Sequence, residues 1–217
     1  MNILIRCVAV VLIGLTPFAC STPEQPTNRG VYMLLDTSGT YTEELQKARQ
    51  IIVYLLTRLD SGDAFAVARI DTGSFSEKDI VAKMTFDDRP SAANQQKRVF
   101  LEQVDAFIEN ARSSAYTDIT GGLLQAEEYL SEHNLCNKTI LVFSDMQEEL
   151  PKGYNRDIDL SLENVEVVAV NVTKLRTDNV DPRKYLDRLA NWRQDVEASG
   201  GEWRVINDLN RLGQLLR

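Results

Sequence analysis

Apolar positions along this chain follow two rhythms. Nearly unbroken apolar runs at residues 30–35, 138–144 and 165–172 have strand length. They predict strands buried on both faces, as in parallel sheets covered by helices. Residues 64–70 give a further strand anchored by Phe65, Val67 and Ile70, and 202–206 a last one. Residues 80–86 alternate apolar with polar, as an antiparallel edge strand does. Between these runs the spacing changes to three and four. Leu45, Ala48, Ile52, Leu55, Leu56 and Leu59 predict a helix that opens on the acidic turn Thr42-Glu43-Glu44. Phe100, Val104, Phe107 and Ile108 predict a long helix over 91–112, after Pro90. A third helix runs from Asp118 to about His133, and its Gly121-Gly122 pair points to close backbone packing. Tyr185, Leu189, Trp192 and Val196 line a fourth, capped at Asp181-Pro182, and Leu209, Leu212, Leu215 and Leu216 predict a closing helix. Residues 146–163 and 174–181 read as loops, the first with a short helix near 157–162. Strand and helix alternate. The predicted class is α/β: a doubly wound, mostly parallel central sheet with one antiparallel edge strand and helices on both faces.

The chemistry-bearing residues sit where the strands stop. The first run ends in Asp36-Thr37-Ser38-Gly39-Thr40, in which Asp36, Ser38 and Thr40 alternate along the turn. Open α/β sheets place their sites at the carboxyl ends of strands. A carboxylate with alcohols is a hard-oxygen set suited to Mg²⁺ or Mn²⁺. The same residue types also make ordinary turns, so the pattern gains meaning only in company. Thr117 lies in a loop before a helix, and Asp145 follows a second buried strand. Thr117 and Asp118 equally suit N-capping of that helix.

Taken together, Asp36-x-Ser38-x-Thr40, Thr117 before a helix with small residues behind it, and the strand-end Asp145 resemble a von Willebrand factor type A domain with its metal-ion-dependent adhesion site. The resemblance covers roughly residues 30–217. It implies a Rossmann-like fold and no enzymatic activity. It implies one Mg²⁺ or Mn²⁺ held directly by Ser38, Thr40 and Thr117, and directly or through water by Asp36 and Asp145. Two carboxylates and three neutral hydroxyls balance the ion's charge but leave its shell incomplete. A protein partner's Asp or Glu carboxylate would then enter the open position, and loops 71–76, 146–157 and 173–181 would border the site. One departure stands beside Asp145, where many members have Gly and this chain has Met146.

Two other readings share these residues. One is the same fold with a vestigial site. The other is a Mg²⁺-dependent phosphatase of the haloacid-dehalogenase type, which needs a second carboxylate where this chain has Ser38. There is no Gly-x-Ser-x-Gly elbow and no Gly-x-x-x-x-Gly-Lys loop. His133 and Cys136 have no nucleophile motif around them.

The start of the chain changes the setting. Arg6, a short apolar core and Ala19 predict a signal peptide over 1–19. Cys20 and the polar tract to Arg29 resemble the cleavage and lipidation site of bacterial lipoproteins, with Pro17 and Phe18 departing from the usual leucine and small residue. Ser21 matches the outer-membrane sorting pattern. The expected organisation is therefore signal peptide 1–19, tether 20–29, domain 30–217, with the protein in the cell envelope and held to the membrane by lipid or leader. The formal charge is −8, and loss of Arg6 makes it one unit more negative. An acidic chain with no Lys/Arg stripe argues against nucleic acid and against polybasic membrane docking.

Overall fold

The computed structural model describes residues 28–71, 73, 76–133, 135–154 and 158–216. The segment expected to be leader, Cys20 and most of the expected tether lie outside the described residues. One six-stranded sheet organises the rest: β1 (Arg29–Asp36), β2 (Ala64–Ile70), β3 (Ile80–Thr85), β4 (Asn137–Phe143), β5 (Val165–Val170) and β6 (Glu202–Ile206), in the order β3-β2-β1-β4-β5-β6. Every neighbouring pair is parallel except β2 with β3. The helices are α1 (Leu45–Arg58), α2 (Pro90–Asn110), α3 (Ile119–Glu132), α4 (Arg176–Val180) and α5 (Arg183–Ala198).

The unbroken apolar run of β1 has a simple cause. Side chains alternate across a strand, and both faces here are covered. Val31, Met33 and Leu35 enter one core with α1 and α2, where Phe65 stacks on Phe100 with ring centroids 4.7 Å apart. Tyr32 and Leu34 enter the other, with Ile119 and Leu123 of α3 and Trp192 and Val196 of α5. The paired glycines do mark a close approach. A Cβ on Gly122 would lie 3.1 Å from both methyls of Leu34.

Chain order sets where a site can form. From β1 the chain builds outward to β2 and β3, then crosses back to place β4 on the other side of β1. The connections leaving β1 and β4 therefore diverge, and the crevice between their carboxyl ends is the topological switch point of the sheet.

Four local expectations are corrected. The helix expected from Thr42 begins instead as a 3-10 turn over Gly39–Glu44 and becomes α-helical at Leu45. No helix occupies 158–162. That stretch of the β4–β5 connection is held by Leu162, whose N–H donates to the Ser199 carbonyl at 2.8 Å and whose side chain is fully buried. The expected loop at 174–181 contains α4, because Asp178 turns back to accept the Leu175 N–H at 2.8 Å. The closing helix is a 3-10 turn over Leu209–Gln214.

Gly122→Val should lower stability by about 1–3 kcal/mol through overpacking against Leu34. A urea midpoint that stays in place would show that α3 and β1 can separate at no cost.

Candidate metal centre

Asp36 is the last residue of β1 and is fully buried. Its Oδ1 accepts the Ser38 N–H at 2.8 Å, which closes the turn on its own backbone. Its Oδ2 accepts the Ser144 hydroxyl at 2.6 Å. Ser144 in turn accepts the Met146 N–H at 2.9 Å. One serine thus ties the end of β1 to the loop leaving β4. Asp145, the next residue, uses its Oδ1 to accept the Gln147 N–H at 2.8 Å.

Burial pushes the Asp36 carboxyl above its ordinary range, while the bonds from Ser144 and Ser38 pull the other way. Asp145 is pushed up to about 6 from its ordinary 3.8. Burial is the main cause, and the negative charges of Asp36 and Glu149 add to it against the Gln147 N–H and the charge of Arg188. The two carboxyls therefore feel each other across the switch point. Among the described residues, no ion pair reaches either of them. Buried charges are normally paired or bound to a metal; here the cation that acts on Asp145, Arg188, bonds its main-chain carbonyl and not its carboxylate.

The third stretch is stitched to the other two by backbone. The Ser114 N–H donates to the Thr37 carbonyl at 2.8 Å, and Thr117 exchanges two bonds with Glu149 at 2.8 and 2.9 Å. Thr117 is buried at this edge. Asp118, its neighbour, caps α3 by accepting the Gly121 N–H at 2.8 Å. Thr117 is therefore not needed as the cap. Ser38 is part-exposed and precedes the 3-10 turn without capping it through its side chain. The backbone of Thr40 lies in that turn, and its side chain lies outside the described part of the structure. Asp36 thus bonds to Ser38 and to Ser144, the residue before Asp145, and Thr117 lies on a loop bonded to both neighbouring loops.

Donor chemistry at this edge is carboxylate and alcohol. No three His, Cys, Asp or Glu side chains cluster among the described residues. Two carboxylates with hydroxyls make a set of hard oxygens, which fits Mg²⁺ or Mn²⁺ and not softer ions.

Several supporting residues have no signature in the sequence. Tyr41 is buried and donates to the Asn171 carbonyl at 2.6 Å, while Asn171, at φ 57°, donates through its side chain to Glu44. This pins the Ser38–Thr40 turn to the end of β5. Met146 has φ 64°, the left-handed region where glycine is favoured, and its side chain is buried. Its carbonyl accepts the Trp192 indole N–H at 2.9 Å, and the Asp145 carbonyl accepts Arg188 Nε at 3.0 Å. A buried methionine thus holds a backbone shape that ordinarily favours glycine.

Comparison with known proteins gives the fold a name. No family model and no curated protein matches the chain. Among solved structures, a von Willebrand factor type A protein from Catenulispora acidiphila aligns at 15% identity with a TM-score of 0.52, over 86% of this chain and 40% of that one. The pilus adhesin SpaC from Lactobacillus rhamnosus GG aligns at 10% identity and 0.52, over 87% and 29%. A mutant of the PilB minor pilin from Streptococcus sanguinis aligns at 11% and 0.50, over 88% and 60%. This chain therefore spans between 29 and 60% of the length of these proteins. At such identities the likeness is one of fold, and the fold is that of a von Willebrand factor type A domain.

The raised pKa of Asp145 fixes the sign of a pH effect. Its folded-state value lies above the unfolded one, so without metal its contribution favours folding below pH 4 and is lost as pH rises from about 4 to about 6. Asp145→Asn should therefore stabilise the metal-free protein at pH 7, by on the order of 2 kcal/mol, and do much less at pH 4. Equal melting shifts at the two pH values would contradict the assignment.

Proposed function

We propose that this domain is a non-enzymatic, ion-dependent protein-binding module. In this reading Asp36, Ser38, Thr40, Thr117 and Asp145 hold one Mg²⁺ or Mn²⁺ at the switch point. A partner's Asp or Glu carboxylate completes the shell. The observation that carries it is the fully buried Asp36 carboxyl with the half-buried Asp145 carboxyl near enough to feel its charge, neither of them in an ion pair among the described residues. When bound, the ion supplies a positive Lewis-acid position that accepts one more oxygen ligand.

The residues themselves do the positioning. Ser144 and the Ser38 N–H fix both oxygens of Asp36 and so set the direction of that carboxylate. The Gln147 N–H orients Asp145. The hydroxyl donors are neutral, so a dication among them keeps enough charge to attract an anionic ligand, which an acidic protein would otherwise repel. Ser38 stands where a phosphatase of the haloacid-dehalogenase type would carry its second carboxylate, which favours binding over catalysis.

The setting we propose is the cell envelope. Residues 1–19 read as a secretory leader and Cys20 as a lipidation point. Among the described residues no helix is long and apolar enough to cross a membrane, so attachment would rest on the lipid or the leader. Similar folds occur in a pilus adhesin and in a minor pilin, which fits a surface-binding role.

Adding Mg²⁺ or Mn²⁺ to the protein at roughly 100 times the dissociation constant should raise its melting temperature by about 5–10 °C. Asp36→Ala should remove the shift. The shift should grow from pH 5 to pH 7, because the ligands must lose their protons to bind. A melting temperature blind to both ions would overturn the reading. A pull-down from the envelope should capture a partner with Mg²⁺ and release it with chelator; capture that survives chelator would favour the vestigial-site alternative. Mass spectrometry of the membrane fraction should find diacylglycerol on Cys20, and a free thiol there would remove the anchor.

A further inference from the structure

Helix α5 does more than cover the sheet. Arg188 and Trp192 are four residues apart and share one face of it. Each reaches a backbone carbonyl of the loop after β4: Arg188 Nε to Asp145 at 3.0 Å, and Trp192 Nε1 to Met146 at 2.9 Å. The other side of the guanidinium grips Asp178 of α4, at 2.8 Å to Oδ2 and 3.3 Å to Oδ1. Asp178 is fully buried and Arg188 nearly so, their side chains being 0% and 9% exposed. Tyr185 closes the far side, with its ring centroid 5.6 Å from the guanidinium carbon.

A buried ion pair of this kind is a poor way to gain stability, since desolvation offsets much of the attraction. What it does well is fix direction. Asp178 locks the plane of Arg188, and the remaining donor then meets one carbonyl from one angle. That carbonyl belongs to Asp145, immediately before the left-handed Met146. With the backbone held on both sides of this bend, and the Gln147 N–H on its Oδ1, the Asp145 side chain leaves the loop in a fixed direction.

We propose that Arg188, oriented by Asp178, is a positioning residue for the ion site, holding the Asp145 loop in its ligating shape so that helices α4 and α5 set the affinity for the ion. This rests on the ion-binding reading above. Arg188 touches no proposed ligand oxygen. Its hydrogen bond to this loop is made to the main chain, which positions the side chain next to it as outer-shell partners of metal ligands do.

The test is calorimetric titration of Mn²⁺ into the protein. Arg188→Gln should weaken Mn²⁺ binding about 10- to 100-fold. Arg188→Lys keeps the charge but cannot bridge Asp178 and the Asp145 carbonyl together, and should fall between. Val104→Ala, in α2 under the opposite face of the sheet, should lower the melting temperature yet leave Mn²⁺ affinity unchanged, which separates positioning from general loss of stability. If Arg188→Gln does not fold, the double variant Asp178→Asn/Arg188→Met removes the pair without stranding a buried charge, and the same weakening is expected. Affinity within about twofold of the unaltered protein in either variant overturns the positioning role and leaves the ion reading standing. No Mn²⁺ binding by the unaltered protein removes the ion reading and this inference with it.

Discussion

The Asp36 carboxylate is the constraint on which this structure turns. It ends the central strand, it has no exposure to water, and both its oxygens are engaged by near neighbours. One oxygen folds the following turn onto itself, and the other captures the serine that follows the strand alongside. Because β1 lies beside β4, those two bonds join the connections that leave the two strands, and backbone bonds from Ser114 and Thr117 add the third. A group of this kind raises the energy of the fold unless something opposes its charge, and its partner Asp145 adds to the imbalance. The surrounding structure tolerates that imbalance by rigidity. Tyr41 and Asn171 brace one loop, Thr37 and Glu149 bond to the backbone of the second, and α5 fastens the third.

Rigidity explains the residue that looks out of place. Met146 occupies a left-handed conformation at which a side chain costs about 1 kcal/mol or more. Its burial offsets this, since it lies with Val172 and Trp192 in the core beneath α5. The bend therefore depends on its supports and not on local flexibility. A glycine would adopt the same turn with less strain but would not be anchored by packing.

How much of this could be read in advance depended on whether a feature was local. The strands were legible because burial on both faces leaves a continuous apolar signature, as in Val31–Leu35. The doubly wound layout followed from strand and helix alternating. Asp36, Ser38, Thr117 and Asp145 were legible by their place after strands or before a helix. The supports were not. Ser144 reads as one more strand-end residue, Arg188 as an ordinary charge on a helix surface, and Asp178 as loop. Their meaning lies in pairs such as Asp36–Ser144 and Asp178–Arg188, which only the folded chain brings together. The crossover after β4 misled for a related reason. A weak helical spacing near 157–162 competed with long-range anchoring of Leu162, and the anchoring won.

The direction of β1 also has a mechanical meaning. Asn28, just before the strand, accepts the Cys136 N–H at the amino pole of the sheet, while Asp36 lies at the opposite pole, roughly 25 Å away at the usual rise per residue. Tension between a tether at one end and a bound object at the other would run along this strand. Both flanking strands are parallel to it, so such a pull loads the two hydrogen-bond ladders in shear, many bonds at once, and cannot unzip them singly. Under such a load β1 would be the tensile member of the sheet.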